Sequence, residues 1–488
     1  MTHFQIGFYI QRILKKQLFS ALLLSLPFLG YAQEEEENIG TEVVNIVRPY
    51  TPSISDAFKV RETPQMNDSV SLQKQKVQYQ IFSVPVASTF TPAKGKAETV
   101  ERAKPIKLYD NYATLGFGNY TTIFGELYSN FEISRTDNAG FFFRHNSSQG
   151  GIDGVVLDNK YYDTQLDGNY TSRQRDITYR LDAGVQHQVF NWYGLNANYD
   201  NLDEVFLSTI DATQTYVGGY LGGSVALEDS YFEKITANVR YLGDAYGSSE
   251  FNFRATPEFS FPLTTFNLQI NGTIDYLSGA FEKQYLGTAE VDHNVLIAGV
   301  SPSLEYINND LSLSLGVSAF VGMELDDEAS SFYLYPNIEA SYRLVDELLM
   351  VYGGVDGGLS QNSFYGMKEE NPFVSPTLAL VPTSQLYNGF GGLKGKLTNN
   401  IGYNIRGSYG LEENKALFRN NPDFGNGTAD LEGYEYGNSF GLVYDDVNTL
   451  SIFGELTVAA SEKFNVGLSA EYFSYTTDTQ TQAWNLPD

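Results

Sequence analysis

Asp176-Ile177-Thr178-Tyr179-Arg180-Leu181-Asp182-Ala183-Gly184-Val185-Gln186 alternates: Ile177, Tyr179, Leu181, Ala183 and Val185 share one face, and Asp176, Thr178, Arg180, Asp182 and Gln186 the other. A period of two is the mark of a strand with one apolar and one polar face. The pattern recurs in Phe266, Leu268, Ile270, Ile274 and Tyr276 against Asn267, Gln269, Asn271, Thr273 and Asp275. It recurs again in Ile235, Ala237, Val239 and Tyr241 against Lys234, Thr236, Asn238 and Arg240. Further segments begin near Ile123, Leu311, Ile401, Leu450 and Phe464, so residues 111–488 hold about 18 of them.

Alternation alone fits a soluble sandwich as well as a membrane barrel, because the apolar face covers a core in one and meets lipid in the other. Length and punctuation separate the two. The segments, about ten to fourteen residues long, exceed the roughly 5 to 6 of a soluble strand and suit the roughly 9 to 11 that a tilted strand needs to cross hydrocarbon. Tight turns such as Arg135-Thr136-Asp137-Asn138, residues 172–176, Ile307-Asn308-Asn309-Asp310 and Leu397-Thr398-Asn399-Asn400 alternate with long polar stretches at 148–160, 190–212, 278–292, 360–384 and 412–433. Short periplasmic turns and long external loops are the asymmetry of outer-membrane barrels.

A sheet facing lipid must close, since unpaired backbone groups in hydrocarbon cost several kcal/mol each. The expected fold is therefore all-β: a transmembrane antiparallel β-barrel of about 18 to 22 strands over residues 111–488, with an extended N-terminal periplasmic arm. The up-down order slips between Glu412 and Leu450, where a strand over 414–419 is expected inside the loop. The sequence stops at Trp484-Asn485-Leu486-Pro487-Asp488 without the aromatic strand that usually closes such barrels, so a C-terminally truncated barrel is the expectation.

Composition agrees with strands and turns: 35 Tyr, 33 Phe and 45 Gly stand beside 2 Trp, and there is no Cys. Residues 1–32 read as a signal peptide, with Arg12, Lys15 and Lys16 before an apolar run at 18–29 and Gly30-Tyr31-Ala32 as the small-x-small site before Gln33. The apolar run is shorter than the roughly 20 residues a spanning helix needs. Without Cys there is neither a lipoprotein anchor nor a disulfide to brace an exported fold.

Residues 33–110 carry neither periodicity and contain Pro49, Pro52, Pro64, Pro85, Pro92 and Pro105, so they read as an extended periplasmic arm. Within the arm, Thr41-Glu42-Val43-Val44-Asn45-Ile46-Val47 is a short β-prone run of the kind that adds to a partner's sheet edge through main-chain hydrogen bonds. That run, the following Arg48-Pro49-Tyr50-Thr51-Pro52-Ser53-Ile54-Ser55-Asp56-Ala57-Phe58 and the barrel after Tyr109-Asp110-Asn111-Tyr112 together resemble the TonB-dependent receptor-like barrels of Bacteroidota. The resemblance implies that Thr41, Glu42, Val43, Val44, Asn45, Ile46 and Val47 stand where such receptors carry a TonB box. It also implies a departure, because the segment before the barrel is shorter than the plug domain of a full receptor.

Charge is uneven. The chain has 59 acids against 31 bases; residues 34–110 nearly balance, at 11 acids to 10 bases, so from residue 111 onward acids exceed bases by about 30. Charges face lipid only at about 2 to 4 kcal/mol for a basic residue at the midplane, so these belong in the lumen and loops, where an acidic lining favours cations and acidic loops serve solubility. Asp158, Asn159 and Asp163, and Asp326, Asp327 and Glu328, offer oxygen ligands but without EF-hand spacing, so they read as solvated turns.

His187 continues the apolar face of Val185 and Val189 and reads as interfacial. In His145-Asn146-Ser147-Ser148, neighbours one or two apart point away from the geometry of a Ser nucleophile with its His base. Gly353-Gly354 and Gly391-Gly392 read as strand glycines where side chains would crowd. No phosphate loop, zinc spacing or basic nucleic-acid patch occurs, so no cofactor, metal or nucleic acid is expected, and no enzyme. The function expected is passage of solutes across the outer membrane, with a non-enzymatic assembly component of an outer-membrane complex as the alternative. The expected partners are outer-membrane lipid around the barrel and a TonB-like or assembly protein on the arm.

Overall fold

The computed structural model describes residues 109–488, apart from 196–198, 200–203, 286, 327, 425–430, 462–463, 479–482 and 487–488. The signal segment, the arm up to residue 108 and with it all seven residues from Thr41 to Val47 lie outside the described residues.

Strands β1 (Asn111–Gly118), β2 (Thr122–Glu132), β3 (Asp137–Ser148), β4 (Tyr161–Arg173), β5 (Ile177–Asn191), β6 (Thr213–Leu227), β7 (Phe232–Asp244), β8 (Ser249–Pro262) and β9 (Asn267–Phe281) build the first half of the wall. The second half is β10 (Val291–Ile307), β11 (Leu311–Glu324), β12 (Ala329–Val345), β13 (Leu349–Ser360), β14 (Thr383–Thr398), β15 (Ile401–Asn420), β16 (Phe440–Ser461) and β17 (Phe464–Thr477). Among the described residues two short α-helices sit in the loops: α1 (Glu204–Leu207) and α2 (Phe364–Glu370).

Each strand pairs antiparallel with its predecessor and its successor. At the two ends, β1 pairs only with β2 and β17 only with β16 among the described residues. This is the antiparallel membrane barrel architecture, with seventeen described strands where 18 to 22 were expected.

Alternation sorts the side chains as its period requires. On β5, Leu181 and Val185 are more than half exposed on the outer face, while Gln188 on the opposite face is buried. On β9, Ile274 points out and Asp275 is buried within the wall. His187 lies exposed on the outer face of β5, in line with Val185.

At one end of the wall the described connections are all short: residues 133–136, 174–176, 228–231, 263–266, 308–310, 346–348 and 399–400. Rings gather on this end, with Tyr231 stacked on Phe261 at 5.4 Å and Phe266 against Tyr306 at 5.6 Å, as the aromatic girdle of a membrane interface requires. The opposite end carries the long loops 149–160, 192–212, 282–290, 361–382 and 421–439.

The expected strand over 414–419 does not exist as a separate element. β15 runs unbroken from Ile401 to Asn420, with a bulge between Glu412 and Lys415 where Asn414 takes a positive φ of 52°. One extra residue in a strand interrupts the period of two, and Asn tolerates the left-handed region, so the sequence there imitates a loop. The loop itself is shifted to 421–439.

Three of the four paired glycines are crowded as expected: a Cβ would lie 2.9 Å from the Phe390 carbonyl at Gly353, 2.4 Å from the Ile338 carbonyl at Gly354 and 2.5 Å from the Ile405 carbonyl at Gly392. At Gly391 the nearest atom would be 3.9 Å away, ordinary contact.

Candidate functional site

The connection between β13 and β14, residues 361–382, does not stay outside. It crosses to strands far along the wall and packs against the inner faces of β5 to β9. Ser363 caps α2 by accepting the Gly366 N–H at 3.0 Å, leaving the first amides of the helix free to seek another acceptor. Glu250 of β8 supplies it, accepting the N–H of Phe364 at 2.5 Å and of Tyr365 at 3.2 Å. At the other end of α2, Lys368 is buried and donates to Gln186 at 3.3 Å, to Gln188 and to its neighbour Glu369. Burial pushes the Lys368 ammonium below the usual lysine range, against the opposing pull of Glu369.

Apolar packing fills the space between these two charged ends. Phe364 meets Phe281 at 5.1 Å and Tyr216 at 5.8 Å, both edge to face, with Leu242, Leu277 and Met367 in the same cluster. The guanidinium of Arg240 lies 3.9 Å from the ring centroid of Tyr365. Beyond the helix the strap is sewn to β16: Phe440 donates to the Phe373 carbonyl at 3.0 Å and Ser375 to the Phe440 carbonyl at 2.8 Å. Its neck is closed by Asn362, which donates to the Val381 carbonyl at 2.6 Å.

A roof of aromatic loops covers the strap. Trp192 donates its indole N–H to the Phe373 carbonyl at 3.1 Å and packs on Tyr246 and Tyr434. Asn438 donates to the Trp192 carbonyl at 2.6 Å, and Lys283 pairs with Glu435 at 2.8 Å. Burial raises the phenol pKa of Tyr246, Tyr285 and Tyr434, which stay neutral in this layer. Gly433 is required here: a Cβ would lie 1.7 Å from the Asp211 carbonyl oxygen.

The strap also packs on the loop ends of β15 and β16, at Ala416, Phe418, Phe440, Leu442 and Tyr444, and below these it leaves the inner faces of β13 to β17 uncovered. They line a cavity of about 600 Å³ with Tyr352, Asn388, Arg406, Phe453, Glu471 and Tyr475 among its walls. The register places Tyr352, Gly392, Arg406, Phe453 and Glu471 in one row across five strands. The Tyr352 ring leans over Gly392, where a Cβ would lie 2.6 Å from it, and its hydroxyl donates to Asn404 at 2.7 Å.

Asp158 pairs with Lys160 at 2.8 Å and Asp326 accepts from Asn294 at 2.9 Å in exposed turns, whereas Asp163 lies within β4 and pairs with Arg144 at 2.9 Å with its side chain mostly buried. Among the described residues, which exclude Asp327, no three acids or histidines gather as a metal site. His145 and Ser147 do touch, at 3.0 Å, contrary to the expected divergence. Residues two apart on a strand share a face. Ser147 is buried, and the other ring nitrogen of His145 meets only Thr164, at 2.8 Å.

The strap was not foreseen as an inward element, yet β9 carried a signal. Its polar face, Asn267 to Asp275, turns apolar at Leu277 and Phe281 without a change of parity. That switch marks where the lumen stops being wet.

With this geometry in view, the solved structures that the chain resembles include the FrpB iron transporter from Neisseria meningitidis, at a TM-score of 0.53 and 10% identity, covering 76% of this chain and 63% of that one. They also include the copper transporter OprC, at 0.52 and 12%, covering 76% and 62%. A third is the pyoverdine outer membrane receptor FpvA from Pseudomonas aeruginosa, at 0.52 and 11%, covering 78% and 64%. The fold is that of an outer-membrane receptor barrel. The chain spans about three-fifths of the length of each of these proteins. No family model matches the sequence and no curated protein does. Inside this barrel the strap lies along β5 to β9, beside the cavity lined by β13 to β17.

Proposed function

We propose that the chain conducts solutes across the outer membrane as a TonB-dependent receptor-like barrel, with residues 361–382 as the constriction that divides its lumen. The observation that supports this reading best is the strap itself. It is latched to the opposite wall by Glu250 and Lys368 while a polar cavity beside it stays open. Burying a charge is costly unless it is paired and hydrogen-bonded, and Lys368 meets that condition through Glu369 and, across the lumen, through Gln186 and Gln188 of β5.

The resemblance to iron, copper and pyoverdine proteins supports transport as the class and leaves the solute to be read from the lumen. Residues 33–110 serve as the periplasmic arm after removal of residues 1–32, and Thr41, Glu42, Val43, Val44, Asn45, Ile46 and Val47 are the segment that recruits a TonB-like partner by strand addition. A proline at Val44 or Ile46 removes a main-chain donor and abolishes energised uptake, whereas alanine does less harm.

The test of the constriction is direct. Replacing residues 361–382 by a short Gly-Ser turn should raise single-channel conductance in planar bilayers by an order of magnitude or more. The acidic balance from residue 111 onward sets the sign of the reversal potential, toward cations. If the deletion leaves conductance unchanged and neither protein passes any solute, the transport reading fails.

A further inference from the structure

We propose that the uncovered wall from β13 to β17 binds a short zwitterionic peptide of about three residues, a site that rests on the transport reading for its purpose but not for its chemistry. Among the described residues, two opposite charges that line this cavity, Arg406 and Glu471, make no ion pair. Arg406 lies with its guanidinium 4.4 Å from the Phe390 centroid, its Nε is buried without an acceptor, and no carboxylate of the described residues is within ion-pair reach. Glu471 accepts a hydrogen bond from Ser451 at 2.5 Å and meets no cation among the described residues.

Of the other charges nearby, Glu455 stands one row nearer the short turns, opposite Asn404, and the rest are engaged. Lys415 pairs with Glu412, Asp356 accepts from Asn388 at 3.3 Å, and Lys394, one row nearer the short turns, lies 5.2 Å from the Tyr352 ring.

Register fixes the spacing. Arg406 is opposite Phe453, and Phe453 is opposite Glu471, so cation, ring and carboxylate stand in one row on three adjacent strands. Two strand steps of about 4.8 Å put the ends of that row about 10 Å apart. An extended chain covers about 3.3 to 3.6 Å per residue, so three residues reach from one end to the other. The terminal carboxylate would take the two-pronged bond that guanidinium offers, the terminal ammonium would take Glu471, and the middle side chain would lie on Phe453. Ser408 and Ser451 occupy the next row toward the loops, where Ser408 faces the peptide's amides and Ser451 holds Glu471. The strap leaves this wall bare, and Thr449 adds a buried hydroxyl with no partner to the same cavity.

The test uses the full chain refolded in detergent, with Ala-Phe-Ala as the probe in isothermal titration calorimetry. Its N-acetylated form, its C-amidated form and maltotriose serve as comparisons. Each cap should weaken binding at least tenfold. The amide cap should make no further difference in Arg406→Gln, and the acetyl cap none in Glu471→Gln. Glu471→Gln keeps an acceptor for Ser451 and Arg406→Gln keeps a polar side chain beside Phe390, and heat-modifiable gel mobility checks that each variant has folded.

Equal binding of capped and uncapped peptide, equal binding of maltotriose, absence of binding, or a cap effect that persists undiminished in its matching variant overturns the site. Liposome swelling on the same preparations keeps the two readings apart. Swelling without cap dependence rejects the peptide site alone, and cap-dependent binding without swelling upholds the site while rejecting transport.

Discussion

The inner faces of β5 to β9 and of β13 to β17 are built by the same alternation, yet one is sealed and the other is open. On the first, Tyr216, Leu242, Leu277 and Phe281 end the strands with rings and aliphatic groups, and α2 buries them. On the second, Arg406, Phe453 and Glu471 face a cavity. Binary patterning sets which side of a strand meets lipid; the loop that returns over the other side decides whether it becomes a core or a surface. A lumen can thus be half packed interior and half accessible wall without any break in strand periodicity.

The largest expected effect separates the walls by packing. Leu277→Ala removes a fully buried side chain beneath the strap and should cost about 2 to 5 kcal/mol. Phe453→Ala on the open wall should cost about 1 kcal/mol or less, since its ring is only partly removed from water. Urea unfolding in lipid vesicles compares the two. Equal losses would mean that the wall from β13 to β17 is also packed.

The outer faces should show no such difference. Leu221→Arg on β6 and Ile452→Arg on β16 each place a charge where an exposed aliphatic side chain stands, at a cost of about 2 to 4 kcal/mol near the midplane. Matching losses in vesicle refolding support a common lipid-facing surface. A much smaller loss at Ile452 would take β16 out of the hydrocarbon.

A smaller effect tests the latch. Glu250→Ala strands the amides of Phe364 and Tyr365, a penalty of about 1 to 3 kcal/mol concentrated on the strap. It should appear as added open-channel flicker in bilayers. Glu250→Gln, which keeps one acceptor oxygen, should behave closer to the parent. Unchanged conductance in the alanine variant would show that the sealed wall does not depend on this contact.

The smallest effect lies at the short-turn end, where Lys396 holds Glu347 at 2.7 Å and the hydrogen bond from Lys396 keeps that carboxyl below the usual range. A depressed carboxylate contributes stability above its unfolded pKa and loses it as pH falls through the folded value, so any effect of Glu347→Gln vanishes at low pH. Both side chains are exposed, so unfolding midpoints of parent and variant should coincide even at neutral pH. A clear shift would assign the turn a structural part.

The sequence by itself determined the faces. Ile177 to Val185, Ile235 to Tyr241 and Phe266 to Tyr276 alternate, and a side chain on a strand has only two directions to point, so the lipid side and the two unequal ends of the wall were legible before any fold was known. It misread 412–420, because a single bulged residue at Asn414 cancels the period on which the reading depends.

Only the tertiary structure decided what the polar face encloses. Residues 361–382 have no period that tells an inward course from an outward one, and Phe364 meets Glu250, and Lys368 meets Gln188, only when the wall curls and brings β8 and β5 to the strap. Which half of the lumen is core follows from that closure: alternation is a local property of neighbouring residues, and contact across a lumen is not.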